Sequence, residues 1–300
     1  MRNYLKTWCL AGVLATTVLL TPFSASAVTA PKPAEPVLGG GNPNPGVPPN
    51  CLSRDQVGVA NPGIHPPCSK PYGLTYGEWS ARWWEWIESI PTAKNPNFDT
   101  TGAHCAEGQT GPVWFLAGDF GGTVVRHCTI PTGVSVLFPV IDNGFGVLGG
   151  DCWGTGGPNP NPALLPNCLD QTWSLPDPTT LPTIIKSWAQ LAAFVASFYD
   201  TPALLHMNAD IDTVHLSTTD LIPYRAKAGG VVTGAAPMFA ITVPPGNILG
   251  LPAGTYFPNG SDGFWLMLTP LPPGTHYIHF ASGDGFLDVT YFLTVAPGHH

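Results

Sequence analysis

Thirty-five prolines and 35 glycines punctuate the 300 residues of this chain, about twice the share of an ordinary soluble protein. Proline interrupts helices and central strands, and glycine weakens both. That density excludes a coiled coil, a helical repeat array or a helical bundle. Those architectures also need long runs of Ala, Glu, Lys and Leu, and charged residues make up only 10% of this chain. Disorder throughout is excluded as well, because 44% of the residues are hydrophobic and 11% aromatic, enough to bury a core. Short strands joined by many turns are what remains.

The chain begins with a basic start (Arg2, Lys6), an apolar stretch over 8–20 and the small-residue exit Ala25-Ser26-Ala27. This pattern predicts a cleaved signal peptide at 1–27 and a secreted or periplasmic protein. The apolar run is shorter than the ~20 residues a spanning helix needs, so the mature protein is not expected to be transmembrane. A formal net charge of −8 without a basic patch argues against a nucleic-acid partner.

Cysteine usage agrees with export. Setting aside Cys9 in the signal segment leaves Cys51, Cys68, Cys105, Cys128, Cys152 and Cys168, an even set that predicts three disulfides. The spacings suggest pairing between neighbours, Cys51–Cys68, Cys105–Cys128 and Cys152–Cys168. Zinc is disfavoured because no two of these lie at C-x₂-C or C-x₄-C spacing. A local repeat leaves a different pairing open. Asn42-Pro43-Asn44-Pro45 running to Cys51 recurs as Asn159-Pro160-Asn161-Pro162 running to Cys168, which makes Cys51–Cys168 the alternative bridge.

Two helices are expected. Thr75 and Glu78 form a T-x-x-E capping box before 76–90, where Trp79, Trp83, Trp86, Ile87 and Ile90 share one face until Pro91. Glu78 and Arg82 stand at i,i+4. A second amphipathic helix over 184–199 would turn Ile184, Trp188, Leu191, Val195 and Phe198 inward. Strand-like runs fall at 113–117, 123–128, 134–141, 213–217, 238–243, 263–268, 275–281 and 287–295, with turn signals between them. The fold class expected is mainly β, a β-sandwich or jelly roll with two amphipathic helices and three disulfides. Its organisation reads as a Pro/Gly-rich lead segment at 28–74, the Trp helix and disulfide-stapled β region at 75–225, and a C-terminal β meander at 226–300 packed into the same sandwich.

The stretches Gly77-Glu-Trp-Ser-Ala-Arg-Trp-Trp-Glu-Trp86 and Gly111-Pro-Val-Trp-Phe-Leu-Ala-Gly118 resemble an uncharacterised family of exported bacterial proteins. The likeness extends through Cys128-Thr-Ile-Pro, Phe138-Pro-Val140 and Ser261-Asp-Gly-Phe-Trp265. It implies a secreted, aromatic-rich sandwich and carries no activity.

Among candidate site residues, Trp84 lies off the buried stripe of the Trp helix and is the ring most expected to be exposed. With Trp114 it forms the candidate ligand-binding pair. His104 and His127 each precede a cysteine of one expected bridge and form a candidate metal pair, with His206, His215, His276 or His279 as third ligand. His276 and His279 are three apart on a strand and should point to opposite faces. Glu85 with Asp99 or Asp119 would serve as a glycosidase carboxylate pair. Asn208, Asp210 and Asp212 imitate the start of a calcium loop without its Gly and Glu. Asn259-Gly-Ser is a glycosylation sequon expected to mark a turn. No nucleophile elbow, phosphate loop or dinucleotide fingerprint is present, and no cofactor is expected. The preferred reading is a non-enzymatic exported protein binding a glycan, a lipid or another cell-envelope component. The alternative is a secreted hydrolase or metalloenzyme whose histidines and carboxylates are gathered by the fold.

Overall fold

The structure is a computed structural model that describes residues 63–146, 173–175, 183–185, 188–229, 236–283 and 285–296. The signal segment, the two Asn-Pro repeats and Cys51, Cys152 and Cys168 lie outside the described residues.

Helix α1 spans Tyr76–Glu88 and starts as its sequence dictates. Thr75 Oγ1 accepts from the Glu78 amide while the Glu78 carboxylate accepts from the Thr75 amide at 2.8 Å. The Thr75 amide, with the Thr75 hydroxyl donating to the same carboxylate at 2.9 Å, pulls the Glu78 carboxyl below its ordinary range. Engaged there, Glu78 is not the partner of Arg82, which instead bonds Glu85 at 2.9 Å. Trp79, Trp83, Trp86, Ile87 and Ile90 are all buried. Their indoles also anchor the helix: Trp79, Trp83 and Trp86 donate to the carbonyls of Pro71, Leu116 and Glu107 at 2.8–2.9 Å.

The chain is mainly β, with two mixed sheets and few helices. Strands β1 (Val113–Phe115), β2 (Gly122–Ile130) and β3 (Ser135–Gly146) follow α1, and β4 (Trp173–Leu175) pairs with β5 (Thr183–Ile185). Helix α2 (Trp188–Ser197) leads to the hairpin β6 (Asn208–Ile211) and β7 (Val214–Ser217), then to the single turn α3 (Thr218–Leu221). The remaining strands are β8 (Arg225–Ala226), β9 (Phe239–Val243), β10 (Gly254–Leu268), β11 (Gly274–Ser282) and β12 (Leu287–Val295). The first sheet runs β1-β3-β10-β8 with β9 also on β10, and the second runs β2-β12-β11-β6-β7. Each contains one parallel pair, β1 with β3 and β2 with β12.

Strand β10 occupies the centre. Phe138 of β3, opposite Leu266, stacks on Phe280 of β11 at 5.0 Å and joins the two sheets. On the other face Trp265 meets Trp83 of α1 at 5.5 Å. Buried on both faces, β10 reads as the continuous apolar run Phe264–Leu268, as a strand in that position should. Beside it, Trp84 lies across Gly144, where an added Cβ would come within 2.8 Å of the indole. Only glycine lets the helix sit this close.

Several expectations need correction. The last three strands are not a meander, because β10 belongs to the first sheet while β11 and β12 form a hairpin in the second. The prolines at 270, 272 and 273 carry no amide hydrogen to continue a ladder, and the chain crosses between sheets there. Helix α2 begins at Trp188, because Thr183–Ile185 is a β-branched run that pairs as a strand. Leu191 and Val195 are buried as expected, but Phe198, beyond the helix end, is 48% exposed. At the junction between 225 and 226, β8 pairs with β10 of the first sheet, and Ala228 forms an isolated bridge with Ala236.

One disulfide, Cys105–Cys128, forms between described residues, where three had been expected over the whole chain. It fastens the 101–105 loop to β2, where His127 donates its amide to the Thr101 carbonyl at 2.9 Å. Gly102 lies against the His127 backbone at positive φ, with no room for a side chain. The bridge closes 23 residues of sequence, so the chain-entropy argument gives it about 3 kcal/mol. Urea unfolding of a Cys105→Ser, Cys128→Ser double variant should show a loss of that order.

Arg126 breaks the apolar inward pattern of β2. Its buried guanidinium donates to the carbonyls of Asp99, Ala117 and Gly118 and to the Tyr291 hydroxyl at 2.6–2.9 Å. It thereby gathers two loops and β12 along the β2 edge of the second sheet.

Candidate functional site

The tryptophans expected to bind ligand serve packing instead. Trp84 is half-buried between Gly144 and Trp83, and Trp114 is half-buried against the core. Both indole nitrogens are sealed from solvent without an acceptor. The helix lies close enough to β3 for Gly144 to cover one face of Trp84.

The disulfide does bring the backbones around His104 and His127 together, but their rings diverge. His104 turns toward Glu107, 3.9 Å away, and His127 stacks on Phe292 at 5.1 Å. Among the described residues, no group of three or more His, Cys, Asp and Glu side chains is arranged to hold a metal ion. His206 is exposed at the end of a 3-10 turn, in a left-handed conformation.

The carboxylates expected as a pair have separate engagements. Glu85 holds Arg82 on the surface. Asp99 accepts from the amides of Thr101 and His104 at 2.8 Å. Burial pushes its carboxyl upward, but these bonds hold it below its ordinary range. Asp119 accepts from the next amide, that of Phe120. The calcium-like segment is a hairpin: Asn208 and Asp210 stand on β6, and Asp212 turns the chain at φ 51°. The sequon does not mark a turn, for Asn259 is buried inside β10 and bonds the Tyr256 carbonyl at 2.9 Å.

Two acids each have one carboxyl oxygen sealed from solvent without a hydrogen-bond partner. Glu88 on α1 is 2% exposed and its Oε2 meets no donor. The Oδ2 of Asp142, on β3, is likewise cut off. Loss of water pushes each carboxyl up to about 8. Asp262, fully buried, differs in accepting from Arg225 at 2.8 and 3.1 Å and from the Ala228 amide.

The outward face of the second sheet is where chemistry collects. Alternation places Thr123, Val125, His127 and Thr129 of β2 there, with Asp288, Thr290, Phe292 and Thr294 of β12. Tyr277 and His279 of β11, Asp210 of β6 and His215 of β7 complete it. Cross-strand register then builds a row of rings. His127 stacks on Phe292, Phe292 meets Tyr277 at 5.7 Å, and Tyr277 stacks near His279 at 6.4 Å. Phe292 is 36% and Val125 45% exposed, although both are large apolar residues.

Beside the rings runs a hydrogen-bonded chain that crosses all five strands. Thr123 Oγ1 bonds Asp288 at 3.2 Å, and Asp288 meets His279 Nε2 at 2.9 Å. His279 Nδ1 meets Asp210 at 2.9 Å, and the other oxygen of Asp210 meets His215 at 2.7 Å. Burial pushes the Asp210 carboxyl up, but the two imidazoles hold it below its ordinary range. With both ring nitrogens on carboxylates, His279 has none left to activate a nucleophile. His276, expected on the opposite face, is buried there between Asp212 and the Pro272 carbonyl, both at 2.9 Å.

Strand alternation in 275–281 and 287–295 already puts Tyr277 with His279, and Thr290 with Phe292, on common faces. Asp210 and His215 were singled out only for separate metal roles, and their pairing was not foreseen because it depends on the β6–β7 register. No protein-family model, curated protein or solved structure matches this chain. Among the described residues, no helix is long and apolar enough to cross a membrane.

Proposed function

We propose that this is an exported, non-enzymatic binding protein, a β-sandwich whose two sheets enclose the core and whose second sheet presents the binding surface. The row His127–Phe292–Tyr277–His279 carries this reading. Rings left on the outside of a rigid sheet, ordered by one another and not by the core, form a platform for a ligand. Export is supported by the basic, apolar and small-residue pattern of the first 27 residues and by the Cys105–Cys128 bridge, which suits an oxidising compartment. The resemblance to exported bacterial proteins agrees with that setting, and a component of the cell envelope is the expected ligand. The test is binding of the purified mature protein to glycan arrays and lipid vesicles, repeated with Phe292→Ala. Loss of this exposed ring should weaken binding by about tenfold, as expected for about 1.4 kcal/mol of stacking. Undiminished binding would remove this face from the site.

A further inference from the structure

From the chemistry of the same face, we infer that its ligand is a neutral glycan, lying along the sheet from the rings of Tyr277 and Phe292, past His279 and Thr290, to the carboxylates of Asp210 and Asp288. This rests on the binding role just proposed and adds the ligand class. A sugar offers apolar C–H patches beside hydroxyl groups at fixed angles, so its receptor needs aromatic faces next to well-oriented acceptors. Tyr277 and Phe292 supply the first.

The crossing hydrogen-bond chain supplies the second. His279 lies between Asp210 and Asp288 at 2.9 Å from each, and His215 and Thr123 hold their other oxygens. The carboxylates are therefore locked in orientation. A carboxylate has about four acceptor positions, so each retains capacity for a ligand hydroxyl. Side-chain exposures of 28% for Asp210 and 35% for Asp288 leave both accessible. The surrounding hydroxyls of Thr290 and Thr123 can serve as donor or acceptor.

Charge decides against the other ligands. The ionisable groups that alternation places on this face are Asp210, Asp288, His127, His215 and His279, with no lysine or arginine. An anionic polysaccharide or a phosphate-bearing headgroup would meet two carboxylates without an Arg or Lys to receive it, on a chain of net charge −8. An acyl chain would have to cover the polar atoms of the crossing chain, leaving them dry and short of partners.

Retardation in affinity electrophoresis would test this, with neutral polysaccharides (cellulose derivatives, dextran, glycol chitin after N-acetylation) against alginate and polygalacturonate. Vesicles of phosphatidylcholine and of phosphatidylglycerol are run alongside. The expected result is retardation by at least one neutral polymer and by none of the anionic ones. Asp288→Asn and Asp210→Asn should each weaken it about tenfold, the loss of one hydrogen bond to a charged group. Phe98→Ala, at a ring 49% exposed but off this face, should leave it unchanged. Thermal unfolding of each variant separates lost binding from lost folding. Phe292-dependent binding to vesicles or to anionic polymer alone would overturn the glycan inference while keeping the binding face. Retardation insensitive to both Phe292→Ala and the Asp variants would overturn both.

Discussion

Trp83→Ala should lower the unfolding free energy by about 5 kcal/mol, at the upper end for removal of a buried aromatic ring. The side chain is 1% exposed and meets Trp84, Trp86 and Trp265 at ring separations of 5.3–5.9 Å. Its neighbours are held by their own bonds and cannot collapse into the space: Trp86 donates to Glu107, and Trp84 lies against Gly144. Truncation also leaves the Leu116 carbonyl without the indole donor that meets it at 2.8 Å. Because whole domains are stable by only about 5–15 kcal/mol, the variant should lose a third or more of its folding free energy. Trp83→Phe keeps most of the volume and loses the donor, so urea unfolding should place it between wild type and Trp83→Ala. A loss under about 1 kcal/mol for the alanine variant would show that α1 is not the organiser of the first sheet.

Stability should also fall as pH rises from about 5 to about 8, opposite to ordinary acid denaturation. The cause is the pair of sealed carboxyls. Glu88 is displaced from an ordinary 4.5 up to about 8, and Asp142 from 3.8 up to about 8, both by loss of water. Between those limits the folded chain keeps protons that the unfolded chain has released. Stability is therefore full below the unfolded values, declines as pH rises, and levels off once both states are ionised above about 8. Each unit of displacement is worth about 1.4 kcal/mol, so Glu88 alone contributes a change of several kcal/mol. Glu88→Gln should flatten the slope and make the protein more stable than wild type at pH 8. An unchanged profile in Glu88→Gln would show that this carboxyl reaches water. The measurement is the urea midpoint across a pH range of about 4.5 to 8.5, which brackets both titrations, with Asp142→Asn as the companion variant.

The legible parts of the fold were those set by local chemistry. The capping box at Thr75 and the spacing of Trp79, Trp83 and Trp86 placed α1 and its buried face. Alternation placed β12 at 287–295 with both ends correct. The N-terminal half of β10 was hidden because Pro258, Asn259, Gly260 and Asp262 read as a turn. Tertiary partners hold that segment: Arg225 and the Ala228 amide reach Asp262, and the Phe239 carbonyl of β9 receives Asn259. The same holds for β6, where Asn208 and Asp210 look like loop residues until register sets Asp210 beside His215 of the expected strand β7.

The site shows the same division. The sequence pointed to tryptophan because tryptophan is its most conspicuous residue, yet indoles at helical spacing were drawn into the core. The ring row and its carboxylates come from β2, β12, β11, β6 and β7, segments as far apart as residues 123 and 292. Composition and local pattern alone determined that the chain would be a turn-rich, mainly β protein with a tryptophan helix, because caps, alternation and proline act over a few neighbouring residues. Which side chains would share a surface was decided by the tertiary structure. Strand order and register are settled by burial of the whole core, and no short stretch of sequence contains that information.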